Sequence, residues 1–155
     1  MFQPTVLQLE PLMQVEVTLA PALELGVTPV GKRRIIHIMG GHFQGAGLCG
    51  VVLSGGADWQ IVRADGVAIL EARYTLQCED GALIYVQNRG VRHGPPDVLA
   101  ALARGEEVDP ATYYMRTTPI FETSDSNYAW LNDIVAVGSG IRRADAVVLD
   151  FYRVQ

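Results

Sequence analysis

Residues Val67–Gly90 read VAILEARYTLQCEDGALIYVQNRG. Two strand-like runs flank Asp80-Gly81. A two-residue type I′ turn needs positive φ at both central positions, and Asp and Gly are residues that tolerate it. With the turn placed there, Leu83 faces Cys78, Tyr85 faces Leu76 and Gln87 faces Tyr74 on one side of the ribbon. Ile84, Val86 and Asn88 then face Gln77, Thr75 and Arg73 on the other. A hairpin this long is not stable alone and belongs inside a larger antiparallel sheet.

The flanking chain extends the pattern. Upstream, Asp58–Arg63 (DWQIVR) is a short strand, and Asp65-Gly66 repeats the hairpin signal. Leu12–Ala20 alternates, with Met13, Val15, Val17 and Leu19 on one face and Gln14, Glu16 and Thr18 on the other. Pro21–Gly31 reads as a loop or irregular crossing. Lys32–Met39 is a strand, and Gly40-Gly41 separates it from the glycine-studded run HFQGAGLCGVVL. Glycines inside such runs mark bulges or bends of the kind a curving sheet needs.

Downstream, Gly94–Gly105 is the one helix. Pro95 and Pro96 lead in, Asp97 lies in the first turn, Val98 and Leu102 share a face, and Gly105 ends it. It is expected to cover one end or edge of the sheet. Thr112–Thr123 (TYYMRTTPIFET) splits into two faces, and Pro119 demotes its centre to an edge or bulge. Tyr128–Val137 is read as a further extended run, Gly138-Ser139-Gly140 as a turn, and Asp145–Val154 as the last strand with Val147, Leu149 and Phe151 inward. The sum is about nine or ten strands and one short helix, which points to a sandwich or barrel. Consecutive hairpins favour an up-and-down barrel, whose closure removes free edges. The fold class is therefore all-β, mainly antiparallel: a closed or nearly closed barrel formed by residues 1–155 as a single domain.

Composition agrees. The chain has 155 residues, 49% hydrophobic and 19% charged, enough to bury a core without staples. Sixteen Gly and eight Pro suit short strands and tight turns. A net charge of −5 argues against nucleic acid or an anionic membrane as partner. No segment reads as a signal peptide or a membrane helix, so the expected compartment is cytoplasmic. Cys49 and Cys78 are read as buried reduced thiols, outside any metal-knuckle spacing.

Taken jointly, GGHFQGAGLCGVVLSGGADW, EARYTLQCEDGALIYVQNRG, YYMRTTPIFET and YAWLNDIVAVGSGIR resemble the bacterial and fungal proteins grouped as domain of unknown function family 3237. The resemblance runs from about Leu12 to Tyr152. It implies a compact lipocalin-like or allene-oxide-cyclase-like barrel and assigns no catalytic residues. Met115 stands where that family's pattern leads one to expect an aromatic, and Cys49 interrupts the Gly-rich run.

Gly45–Gly50 spells GxGxxG with Glu71 downstream, but Val51-Val52-Leu53-Ser54-Gly55-Gly56 follows instead of a helix, so no dinucleotide fingerprint is present. Polar residues on strand faces are better candidates. Arg116 and Glu122 share a face with Tyr114. Turned into a barrel they would form an anion clamp and a general base, walled by Tyr128, Trp130 and Asn132. Glu71 and Arg73 share a face opposite the better core of Tyr74, Leu76 and Cys78. They are read as a surface pair, with Arg73 kept as a binding candidate. Asp58-Trp59 reads as a barrel-end plug, the Trp filling and the Asp capping loop amides, with a binding role beside it. His37, His42 and His93 lack metal-ligand spacing; His42 is the candidate proton carrier.

Three functions follow. The first is a cofactor-independent isomerase, cyclase or dehydratase, with Glu122, Arg116 and His42 catalytic and Trp59, Asp58, Arg73, Tyr114, Tyr128, Trp130 and Asn132 binding a small, partly apolar and optionally anionic molecule. The second is the same cavity without chemistry. The third is a structural homo-oligomer with its exposed aromatics at the interface. No metal and no cofactor enter the reading.

Overall fold

A computed structural model describes all 155 residues. The strands are β1 (Leu9–Leu19), β2 (Leu23–Thr28), β3 (Gly31–Gly45), β4 (Leu48–Val52), β5 (Ala57–Val62), β6 (Ala68–Cys78), β7 (Leu83–His93), β8 (Tyr114–Glu122), β9 (Val135–Arg142) and β10 (Ala146–Val154); helix α1 is Pro96–Ala103. They close an eight-position antiparallel barrel with two extra strands. The order runs β1-β10-β9-β8-β7-β6, then β4 and β5 end to end, then β3, which pairs back to β1. β2 lies on the β1 side of β3, along its first half.

The decisive hairpin is β6–β7, and its register differs by one residue from the two-residue turn. Leu76 pairs with Ile84, Tyr74 with Val86, and Arg73 with Gln87. The Cys78 and Gly81 backbones close a turn, and the Cys78 N–H donates to the Ala82 carbonyl. Three residues, Glu79-Asp80-Gly81, therefore form the loop. The physical reason is that only Gly81 has positive φ (91°). Asp80 keeps an ordinary backbone and uses its Oδ1 to accept from the Ala82 N–H. A type I turn with one left-handed glycine satisfies the strand twist without forcing Asp80 into αL. Arg63–Val67 closes the same way, with Gly66 at φ 89°. Because side chains alternate, the one-residue shift turns Ile84, Val86 and Asn88 onto the face of Leu76 and Tyr74.

Other expectations shift too. Residues 23–28 within the expected loop form β2. β3 runs unbroken through Gly40-Gly41, bending there. Gly45–Gly50 is the β3–β4 hairpin. Residues 129–133 form a short 3-10 turn, not a strand. Gly138 and Gly140 lie inside β9, because larger side chains already occupy the space over them. A Cβ on Gly138 would sit 2.8 Å from Phe151 Cδ1, and one on Gly140 would sit 2.7 Å from Met115 Sδ.

Inside, one half of the barrel is apolar. Val15, Phe43, Leu76, Ile84, Val86, Phe121, Leu131 and Phe151 are buried there. Toward the α1 end the inward series turns polar. Along β7 it runs Ile84, Val86, Asn88, Gly90, Arg92, and along β9 it ends at Arg142. No helix is long and apolar enough to cross a membrane.

Candidate functional site in the barrel lumen

The polar half of the lumen encloses a cavity of about 50 Å³, lined among others by Asp58, Gln60, Tyr74, Asn88, Arg92, Thr117 and Arg142. Its mouth, a wider cleft of about 410 Å³, is bounded by Lys32, Arg34, Arg92, Arg142 and the Leu99–Ala103 side of α1. Arg92 and Arg142 line both spaces.

Asp58 is placed by a parting of the β5–β6 ladder. The register pairs Ala57 with Arg73 and Ile61 with Ile69, and would pair Trp59 with Glu71, but that rung is unmade. Two side chains replace it. Asp58 Oδ1 accepts the Glu71 N–H at 2.9 Å, and Arg33 Nη1 donates to the Trp59 carbonyl at 2.9 Å. Asp58 Oδ2 accepts from Gln60 Nε2 at 3.1 Å. Gln60, itself buried, accepts from Arg34 Nη1 at 2.7 Å, and Arg34 pairs with Glu24 at the rim. A polar chain thus runs from solvent to the lumen.

Burial raises the Asp58 carboxyl above the ordinary carboxylate value. The Glu71 and Gln60 bonds and the nearby Arg92 and Arg34 pull it back only in part. Arg92 is pulled down to about 10, first by burial, then by repulsion from Arg142 and Arg34. Arg142 is lowered by burial and by repulsion from Arg34, while its Nη1 donates to the Ala146 carbonyl at 3.0 Å.

Three buried polar atoms in the cavity wall have no partner within the chain: Tyr74 Oη, Asn88 Oδ1 and Thr117 Oγ1. Burial pushes the Tyr74 phenol up, so it stays a donor. An unmet buried polar group costs about 1–3 kcal/mol. Three around one cavity mark a wall shaped for a polar guest, water included.

The structure places most of the other sequence candidates elsewhere. On β8, Met115, Thr117, Pro119 and Phe121 are buried, so Tyr114, Arg116 and Glu122 point outward. This corrects the expected inward face. The apolar set of that strand wins the core, and Arg116 instead stacks over Tyr114 in an external groove. His42 is exposed, 4.0 Å from Glu16. Trp59 faces outward with the Arg73 guanidinium 5.8 Å from its ring, so it plugs nothing. Tyr128 donates to Asp80 at 2.8 Å near the opposite end of the barrel. Asn132 ties both backbone groups of Thr123, completing the end of β8 where β9 has left it. Trp130 is partly exposed on the same turn. Of the ten candidates, only Asp58 lines the polar cavity. No three His, Cys, Asp or Glu side chains gather as a metal site requires.

Sequence reading missed Arg34, Gln60, Tyr74, Asn88, Arg92, Thr117 and Arg142 as site residues. One signal was available. Asn88 interrupts an apolar alternation begun by Ile84 and Val86, and the correct hairpin register turns it inward.

The family model described as protein of unknown function (DUF3237) matches residues 7–154. The chain belongs to this family. A UPF0311 protein of Rhodopseudomonas palustris is 49% identical to this DUF3237 protein over 129 residues, 83% of this chain and 84% of the relative. A β-barrel-like protein from Acinetobacter baumannii has 50% identity and a TM-score of 0.88, with both chains covered in full. An enzyme from Penicillium herquei, 24% identical, shares the fold with a TM-score of 0.73 over 99% of this chain and 98% of its own.

Proposed function

We propose that this DUF3237 barrel is an enzyme that moves a proton on a small organic molecule at the polar end of its lumen. The supporting observation is a carboxyl with a raised proton affinity, Asp58, fixed beside a cavity whose wall presents three unpaired polar atoms. A carboxyl poised above its usual range serves as general acid or base near neutral pH. It gives its proton to one substrate atom, and the carboxylate takes one back from another. The net change is isomerisation or cyclisation with the acid regenerated. Loss of a hydroxyl as water fits the same acid. The Tyr74 and Thr117 hydroxyls supply donors for the oxygen on which charge develops, and Asn88 Oδ1 accepts from a substrate hydroxyl. The apolar wall of Ile36, Ile38, Leu70 and Leu149 meets the reacting end of the carbon skeleton; at about 50 Å³ the cavity takes only that end, and the rest lies in the mouth.

The test is proton exchange in deuterium oxide, followed by NMR on a panel of small enolisable carbonyl compounds. The wild type exchanges a carbon-bound proton above the buffer rate. Asp58→Asn loses about 10²–10⁴-fold of that rate, and Glu122→Gln, on the outer face, loses none. Exchange that survives Asp58→Asn, or never exceeds buffer, sinks the catalytic reading and leaves a binding barrel.

A further inference from the structure

In a chain of net charge −5, four cations gather at the mouth: Lys32, Arg34, Arg92 and Arg142. The acids facing them are few. Glu24 is taken by Arg34, Asp145 lies within charge reach of Arg142, and Asp58 sits deeper, held by Gln60 and the Glu71 N–H. Arg92 is the exception among them. It is half-buried, it faces two other guanidiniums, and its surroundings act on it through burial and charge alone, with no hydrogen bond from a side chain. A partly desolvated cation next to like charges is unfavourable unless an anion completes it. Across the same cleft stand Leu99 and Leu102 of α1.

We propose that the mouth is a carboxylate-recognition site. It takes a small organic acid whose anionic group pairs with Arg92, supported by Arg34 and Arg142, while its apolar body lies under α1 or reaches into the lumen. This rests on the lumen being the functional site and names the class of molecule that enters it. The planar guanidinium of Arg92 offers the fork that a carboxylate accepts in bidentate fashion. Because Arg92 also lines the lumen cavity that holds Asp58, an anion paired with it sets the remainder of the molecule beside that cavity. The anion also relieves the mutual repulsion of the arginines, so binding stabilises the fold.

The probe is benzoate, with benzamide as its neutral counterpart, measured by calorimetry and by the rise in melting temperature. Benzoate is expected to bind, benzamide to bind about tenfold more weakly or worse, and added salt to weaken benzoate alone. Arg92→Gln should lose about tenfold of the benzoate affinity while melting no lower than the wild type, because Arg92 makes no side-chain hydrogen bond in the fold and relief from Arg142 and Arg34 offsets the lost attraction to Asp58. Arg116→Gln, outside the barrel, should bind as the wild type does. Should Arg92→Gln fail to fold, Arg92→Lys takes its place, keeping the charge without the fork and binding with intermediate affinity.

Equal binding of benzamide, undiminished binding by Arg92→Gln, or no benzoate binding by the wild type each overturns the proposal. Asp58→Asn separates it from the catalytic reading. That variant retains benzoate binding, so loss of proton exchange and loss of anion capture fail independently.

Discussion

The protons on Asp58 and its neighbours set what this barrel can do. The carboxyl is raised by burial despite two donors and two nearby arginines. Its proton is therefore bound more tightly in the folded protein than in the unfolded chain. At low pH, where both states are protonated, the group costs no stability. The cost grows as pH rises past the ordinary carboxylate value and is complete above the raised folded value. Asp58→Asn removes that dependence. The melting temperature of the variant minus that of the wild type should climb with pH from about 4 upward and level off once Asp58 is ionised in both states. Thermal melts across pH check it; a flat difference would put the carboxyl in ordinary solvation, and a falling one would mean that the fold favours its ionised form. Asp58 stands out in the sequence only because it precedes Trp59, and that neighbour is misleading, since alternation along β5 sends Trp59 outward. Nothing local distinguishes Arg34, Arg92 and Arg142 from surface arginines. They come from β3, β7 and β9 and meet only when the barrel closes.

Elements are more legible than faces. Alternation marks β1, β6, β7, β8 and β10, and Pro95, Pro96 and Gly105 bracket α1 within two residues of its observed ends. Pro119 marks an edge in one respect: β9 pairs with β8 only at Arg116 and Thr117 and has left by Pro119. What sequence does not supply is the difference between a two- and a three-residue turn, which Asp-Gly alone does not decide. That one residue inverts a whole ribbon. Two glycines test the corrected geometry by opposite routes. Gly81 has φ 91° and open space within 4 Å of where a Cβ would stand, so Gly81→Ala costs only the left-handed backbone, about 1–2 kcal/mol. Asn, which tolerates that region, should lose less. Gly138 has ordinary φ but lies under Phe151 and Thr117, so Gly138→Ala overpacks the lumen and costs about 1–3 kcal/mol. Urea titrations measure both. A neutral Gly138→Ala would mean that Phe151 does not rest on β9.

At the scale of the molecule, barrel closure follows from strand count and turn spacing, whereas the polarity gradient along its axis does not. The gradient arises because each stave contributes its inward residues at a different height, which depends on register around the whole ring. Stability should follow the same axis. Leu76, Ile84 and Val86 are fully buried where β6 and β7 pair without interruption. At the mouth, α1 has no buried residue, and only Val98 and Leu102 pack against the core from it. β2 is largely exposed and pairs with β3 alone. Elements with little burial open locally, at a free energy well below that of global unfolding. Native-state hydrogen exchange should therefore show β6 and β7 amides near Leu76 and Ile84 exchanging only through global unfolding. Amides of Leu99–Ala103 and of β2 should exchange orders of magnitude faster, with denaturant-insensitive rates. Benzoate should slow exchange in α1 more than in β2, because Leu99–Ala103 of α1 bound the mouth cleft, whereas β2 reaches it only through the Glu24 side chain on Arg34. Equal protection of α1 and β7 would make the helix part of the cooperative core, and the entrance to the lumen would then have to lie elsewhere.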